Sequence, residues 1–560
     1  MRRTWNIKAP DPSAQNELSA SLNISKVTAQ LLANRGIKDI DEARQFLACS
    51  MASSADPFLL KDMDKAVGRI RKAVSKGEKI LVYGDYDVDG ITAVAVLYLA
   101  LKMLGGTVET YIPHRVEEGY GLNLAAVKRA QRDGISLIIT VDCGIASFKE
   151  IEHAAALKID IIVTDHHEIA DSRVPDAYAV INPLQKSCNY PFKHLAGVGL
   201  AYKLAKALYT GTPNFAEDFL DLVSLGTIAD IAPLVGENRV LAKYGLDELN
   251  RKERIGLTAL CEVAGLTGKE ISSGHIGFIL GPRINAMGRV GSAHKALELL
   301  LSKDGAEALK LAKLLDTENK NRQKIESAIL DEAVSKVERE VNFKHHRVIV
   351  LGSESWHPGV IGIVASRIAD RYYRPTILIS LDGKYAKGSG RSVDGFHLFE
   401  YLLRCKDLLV AFGGHESACG ITLEKEKIDE FRERINSEAA SEVKEEVFSP
   451  VLDIDMDIPL NALSEEVMGQ IESLAPFGEQ NPRPVFASRG LIVKDGPRRI
   501  GKNGFKVWVT DDRVTCEAVS FGRNRLAIPE KGSGVDLAYI PSLNDWQGVR
   551  SIQLELRDIK

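Results

Sequence analysis

Four segments of this chain carry an apolar run that ends on an aspartate or histidine, and that repetition constrains its fold more than any other feature. Residues 80–83, 137–141 and 159–164 are near-continuous apolar runs of strand length, the signature of parallel strands buried on both faces. The first leads into Gly84-Asp85-Tyr86-Asp87-Val88-Asp89-Gly90. The second ends Thr140-Val141-Asp142-Cys143-Gly144, the third Val163-Thr164-Asp165-His166-His167-Glu168, and a fourth acidic site follows in Gly226-Thr227-Ile228-Ala229-Asp230. Amphipathic stretches 93–104, 124–132 and 148–157 lie between the runs. Strands alternating with helices predict an α/β fold, a doubly wound parallel-sheet domain over residues 61–302, whose ligands meet the carboxyl ends of the strands.

An aspartate after a strand is ordinarily a turn former or helix cap, and a His-His pair is ordinarily solvated or satisfied in a core. Four acidic strand ends converging on one sheet edge are a different matter, because that much negative charge repels strongly unless a cation neutralises it. Carboxylates with one or two imidazoles suit Mn²⁺ or Mg²⁺, and the donors suffice for two ions. Such a pair of ions would activate water and clamp the oxygens of an in-line displacement.

With 560 residues the chain has material for roughly three to five domains. No apolar run approaches the ~18–20 residues of a membrane span, and Met1-Arg2-Arg3-Thr4-Trp5 leads into polar sequence rather than a signal peptide. These features place the protein in the cytoplasm, away from membranes; a monomer is expected. Seven cysteines, none spaced as zinc or redox pairs, argue against a disulfide framework or a structural zinc site. Gly197-Val198-Gly199-Leu200 is half of a dinucleotide fingerprint, and no phosphate-loop lysine motif is present. Cys143 needs no nucleophilic role if metals activate water.

Residues 1–60 read as an N-terminal helical segment. Residues 303–341 read as one long helix with apolar positions at Leu311, Leu315, Ile325, Ile329, Val337 and Val341. Its middle, 316–324, is entirely polar, as in a solvated spacer; a helix packed within one domain is the alternative. Runs 347–351 and 376–380 open a second α/β unit, 342–446. From 450 to 560, short runs at 451–456, 485–487, 490–493, 506–509, 515–520 and 552–556 predict a small barrel or sandwich. There the net charge of −4 conceals a basic cluster of Arg483, Arg489, Lys494, Arg498, Arg499, Lys502 and Lys506 against Asp495 alone. Phe505 and Trp508 lie among them, a pattern that suits single-strand binding, unless Trp508 sits in the barrel core. Arg115 could fork onto a phosphate, Arg283 and Arg289 share one apparent loop with glycines, and Gly413, Gly414 and His415 offer amides beside an imidazole.

The four ordered motifs around Asp85-Tyr86-Asp87-Val88-Asp89-Gly90, Val141-Asp142-Cys143-Gly144, Asp165-His166-His167 and Thr227-Ile228-Ala229-Asp230 resemble those of the DHH phosphoesterase superfamily. Phe412-Gly413-Gly414-His415 with Ala418 and Gly420 resembles its DHH-associated domain. Trp356-His357-Pro358-Gly359-Val360-Ile361-Gly362 and Gly388-Ser389-Gly390-Arg391-Ser392 are similar to the bacterial single-strand exonuclease branch of that superfamily, and the likeness spans nearly the whole chain. The resemblance implies Asp87, Asp89, Asp142, His166 and Asp230 as metal ligands, with Asp142 bridging two Mn²⁺ or Mg²⁺ ions. Asp85 is a further ligand, although relatives often carry histidine at this opening. His167 is implied as a transition-state or leaving-group contact and Asp165 as the orienter of a histidine. Arg115, Ser389 and Arg391 are implied to hold a 5′ phosphate, and Arg283, Arg289, Gly413, Gly414 and His415 to bind substrate. The C-terminal region is implied to be an OB-fold.

The function expected on this basis is a single-stranded-DNA-specific 5′ to 3′ exonuclease of repair and recombination, partnered by single-strand-binding protein and a RecQ-type helicase. A phosphodiesterase on short oligonucleotides or cyclic dinucleotides, and a nucleic-acid-binding replication factor without catalysis, are the alternatives.

Overall fold

Lys79–Gly84, Ile135–Val141 and Asp160–Thr164 are strands with almost every residue buried, as strands covered on both faces must be. The computed structural model describes residues 3–560 apart from 116–117, 211–216, 382, 502, 523–525 and 547–548. These strands form the centre of a five-stranded parallel sheet in the order Thr107–Tyr111, Lys79–Gly84, Ile135–Val141, Asp160–Thr164, Ala179–Ile181. The chain leaves Lys79–Gly84 toward one side of the sheet and returns on the other, so the switch point falls between Lys79–Gly84 and Ile135–Val141. Side chains following those two strands therefore open onto a common crevice. The helix Val88–Met103 is buried on most of its circumference, because helices Gly197–Leu208 and Leu220–Ala229 pack on it.

The chain divides into two compact units, the first comprising residues 5–284, 293–312 and 452–560. Besides the parallel sheet, this unit holds a barrel of strands in the order Met456–Asp457, Phe486–Ile500, Gly504–Thr510, Thr515–Ser520, Val549–Ile559, Gly534–Trp546, closed by pairing of Phe486–Ile500 with Gly534–Trp546. The runs expected at 485–487 and 490–493 are one bent strand, its register shifting between Ser488 and Leu491 beside Gly490 at φ 63°. Gly534–Trp546 is a strand that sequence patterning misses, because Pro541 stands inside it, opposite Leu554. The N-terminal helices Pro12–Leu22, Lys26–Asn34 and Ile40–Ala48 bury Leu18, Leu31, Leu32 and Ala43 in one core with Met468, Phe486, Phe505 and Leu537. Arg239, 2% exposed, joins these parts by donating to the carbonyls of Phe46, Ser473, Leu474 and Ala475. Nearby, the wholly buried Lys203 pairs with Glu237, which also accepts from the Tyr190 hydroxyl, while Lys203 Nζ donates to Ser54 Oγ at 2.7 Å.

The second unit is built mainly on residues 313–451 with 285–292. Its sheet runs Ala411–Gly414, Ala418–Glu424, Tyr385–Arg391, Thr376–Ser380, Ile349–Ser353, antiparallel except for the last, parallel pair. The long helix is Gly305–Glu340, but its polar middle is not a solvated spacer. Asp316, Asn319, Arg322 and Glu326 form a buried stripe at helical spacing. Arg322 donates to Asn319 Oδ1 at 2.6 Å and to Glu326 Oε2 at 2.7 Å, and Arg367 pairs with Glu326 Oε1 at 2.5 Å. A polar stripe satisfied in this way can be buried without leaving charges unpaired.

Candidate metal centre

Each acidic motif is held in place by the backbone that follows its strand. Asp87 caps the helix Val88–Met103, its Oδ1 accepting from Gly90 N at 3.0 Å. Gly90 is required there, since a Cβ would lie 2.6 Å from the Asp85 carbonyl oxygen. Asp89 is fully buried and accepts from Gly197 N at 2.6 Å and Val198 N at 2.7 Å, at the amino end of the helix Gly197–Leu208. That end favours a carboxylate electrostatically. The segment Gly197-Val198-Gly199 thus orients a carboxylate rather than a dinucleotide, and a Cβ on Gly197 would meet Asp142 Oδ1 at 2.8 Å.

Asp142 follows its strand at φ 59°, a left-handed conformation uncommon outside glycine and a frequent mark of functional sites. Asp165 is fully buried; Oδ2 accepts from Ile145 N at 2.9 Å, and Oδ1 lies 2.7 Å from His167 Nδ1. Asp230 ends the helix Leu220–Ala229. The structure brings these side chains into three overlapping groups whose donor atoms lie within 4.8 Å of one another: Asp85, Asp87 and Asp142; Asp89, His166 and Asp230; Asp142, His166 and His167.

The electrostatics of the cluster call for a cation. Burial, reinforced by repulsion from Asp87, pushes Asp85 up to about 8 and Asp89 up to about 7. Burial and repulsion from Asp89 raise Asp230 to about 9, and the same forces carry Asp142 well above the carboxylate range. Burial lowers His166 to about 4, leaving a neutral imidazole fit for coordination. His166 Nε2 is 3.0 Å from Asp142 Oδ1 without hydrogen-bond geometry; these two atoms, with Asp85 Oδ1, are buried and have no hydrogen-bond partner among the described residues. Buried, mutually repelling oxygens and an orphaned imidazole nitrogen fit divalent ions of the Mn²⁺ or Mg²⁺ kind. His167 differs: burial opposes its charge, but its hydrogen bond to Asp165 prevails and raises it to about 9. Asp165 correspondingly stays low, its bonds to His167 outweighing burial.

Tyr120 belongs to the site as well, although sequence patterning does not single it out. Its hydroxyl donates to the Asp142 carbonyl at 3.2 Å and lies 3.1 Å from His167 Nδ1. The guanidinium of Arg115 lies 4.9 Å from the centre of the Tyr86 ring.

The remaining predicted residues fall in varied settings. Arg283 and Arg289 lie on the helix Gly281–Val290, not in a loop; this helix continues directly from the π-helical turn Ile276–Leu280, which precedes Pro282. Arg283 donates to Ile279 O at 2.7 Å, and in the second unit Arg289 reaches Gly359 O at 3.3 Å. Ser389 and Arg391 are adjacent on the strand Tyr385–Arg391, Arg391 donating to Ser389 Oγ at 3.2 Å. Gly413, Gly414 and His415 form a hairpin arm and its turn, in which the His415 amide is taken up by Ala418 O at 2.9 Å and offers nothing to a phosphate. On the barrel, Phe505 is in the core, whereas Trp508 faces outward with Arg498 4.6 Å and Lys506 5.1 Å from its ring centre. Trp508, Lys506, Asn544, Arg550 and Ser551 line a groove of about 700 Å³. Lys502 lies outside the described residues.

A doubly wound sheet that gathers this set at its carboxyl edge defines a metal-dependent phosphoesterase of the DHH class. Family models agree: the DHH family N-terminal domain matches residues 79–227, the DHHA1 domain 345–441 and the RecJ OB domain 454–558. The chain is 41% identical to the single-stranded-DNA-specific exonuclease RecJ of Bacillus subtilis, over 99% of this chain and 70% of that one. It is 36% identical to the Escherichia coli RecJ over 95% of each chain. The crystal structure of Thermus thermophilus RecJ in complex with Mn²⁺ superposes with a TM-score of 0.85 and 30% identity, covering 100% of this chain and 79% of that one. A Mg²⁺ complex of the same protein gives 0.80, again at 30% identity, over 100% of this chain and 78% of that one. The chain belongs to the RecJ family of single-stranded-DNA-specific exonucleases.

Proposed function

We propose that this protein is a two-metal exonuclease that degrades single-stranded DNA from the 5′ end to mononucleotides, in DNA repair and recombination. The observation that carries this reading is the set of overlapping donor groups that share Asp142 and His166. In it, Asp85, Asp87 and Asp142 would hold one ion, and Asp89, His166 and Asp230 the other. Mn²⁺ or Mg²⁺ there would acidify a water and draw charge from the phosphoryl oxygens.

The chain's own residues do the rest. Asp89, anchored by two amides, fixes the second group; Tyr120 and Asp165 fix the His167 ring. With its proton retained by Asp165, His167 presents a cation to the charge developing on the leaving oxygen. Arg115 grips the 5′ phosphate, and Ser389, Arg391, Arg283, Arg289, Gly413, Gly414 and His415 act as substrate-binding residues. The barrel, residues 450–560, binds nucleotides on the 3′ side of the cleaved end through Trp508 and its flanking cations. Among the described residues no helix is long and apolar enough to cross a membrane. The protein is proposed to act in the cytoplasm as a monomer that meets single-strand-binding protein and a RecQ-type helicase at the DNA.

The test is digestion of a single strand carrying a 5′ phosphate and a distinct label at each end, in Mn²⁺, beside the matching duplex and an Asp142→Ala variant. Mononucleotides should appear first from the 5′ end, and only from the single strand with intact enzyme. Survival of the long strand while dinucleotides are cleaved would favour a small-substrate phosphodiesterase.

A further inference from the structure

We infer that Tyr86 is a positioning residue, holding the Arg115 guanidinium as a phosphate fork beside the metal centre. The inference rests on the reading above that the centre acts on a nucleic acid strand. Tyr86 lies between Asp85 and Asp87, half-buried, where the strand Lys79–Gly84 gives way to the helix Val88–Met103. Arg115 is close enough to these carboxylates for its charge to act on Asp85. Among the described residues, however, no carboxylate forms an ion pair with it, and its guanidinium carbon lies 4.9 Å from the Tyr86 ring centre.

The chemistry of the two contacts explains what the ring achieves. An arginine beside several carboxylates gains by forking onto one of them, and a fork so engaged is lost to substrate. A cation–π contact uses the flat face of the guanidinium and leaves its N–H groups, which lie in the plane, directed outward. The ring therefore competes with Asp85 and Asp87 for the charge without consuming the donors. The ligand such a fork takes is a phosphate of the strand, either the 5′ terminal group or an internal phosphodiester. Tyr86 touches no reacting atom in this scheme; it acts through Arg115.

The experiment compares KM and kcat for single strands ending in a 5′ phosphate or a 5′ hydroxyl, with Mn²⁺ titrated for each variant. Tyr86→Leu should raise KM about 2- to 30-fold, the range of a cation–π contact, with Mn²⁺ affinity unchanged. Tyr86→Phe, which keeps the face, should stay within about twofold of the parent, and Tyr86→Leu added to Arg115→Gln should do no further harm than Arg115→Gln alone. An effect confined to the 5′ phosphate strand assigns the terminal phosphate, and an equal effect on both assigns an internal one. If Arg115→Gln raises KM while Tyr86→Leu does not, or if Tyr86→Leu weakens Mn²⁺ binding instead, the inference fails and the reading of Arg115 stands. If Arg115→Gln alters neither substrate, Arg115 touches no phosphate and both fall.

Discussion

Asp165 Oδ1 and His167 Nδ1 lie 2.7 Å apart, and that bond separates the two histidines of one dipeptide into different chemical roles. His166 is left neutral with Nε2 toward Asp142, while His167 keeps a proton on the nitrogen that faces Asp165. Asp165→Asn preserves shape but removes the charge that secures this proton. Its kcat should fall about 10–100-fold, with Mn²⁺ affinity nearly intact because Asp165 belongs to none of the three donor groups. Parallel loss of Mn²⁺ affinity in a titration would make Asp165 a structural support of the ions instead.

Phe505 and Trp508 of the barrel should separate cleanly. Trp508→Ala should weaken single-strand binding about 5- to 150-fold, as loss of one stacking platform does, and leave the melting temperature nearly unchanged. Phe505→Ala should cost about 3–5 kcal/mol of stability through the cavity it opens in the core. Fluorescence anisotropy with a labelled oligonucleotide, set beside thermal unfolding, checks both. Equal binding by the Trp508 variant would remove the barrel groove from the strand path.

Lys203→Met should destabilise the first unit by about 3–5 kcal/mol, since it leaves Glu237 buried and without its counter-charge. Glu237→Gln in the same chain should restore part of that loss. Urea unfolding midpoints measure both, and a neutral Lys203→Met would show that Glu237 is protonated in the folded protein.

The acidic strand ends are legible in sequence because each carboxylate is covalently next to the apolar run that aims it. What escapes sequence reading acts through space. Tyr120 reaches Asp142 and His167 only once the sheet has formed, and Gly197 is small because Asp142 lies against it. Composition also cannot distinguish a solvated polar face from one that pairs with itself, so the stripe from Asp316 to Glu326 reads as exposed and is buried. The helix Gly281–Val290 reads as a loop because glycine, proline and asparagine crowd its sequence, although it continues from the π-helical turn Ile276–Leu280 that precedes Pro282. The barrel strand Gly534–Trp546 is hidden by Pro541.

Ions held in the two donor groups should stabilise the folded chain, because they bind an arrangement that repels itself without them. At a Mn²⁺ concentration about 100 times the dissociation constant, the gain per site should be about 2.7 kcal/mol. Chelation should lower the melting temperature, and Asp142→Asn should abolish most of the difference. A Tm indifferent to Mn²⁺ would show that the carboxylates are neutralised by protons alone.

The account turns on two ions sharing Asp142, and Mn²⁺ titration followed by electron paramagnetic resonance addresses this most directly. Two Mn²⁺ per chain with a spin-coupled signal are predicted, reduced to one uncoupled ion by Asp230→Asn and severely weakened at both sites by Asp142→Asn. A single ion per chain, or two ions without coupling and indifferent to Asp142→Asn, would contradict it.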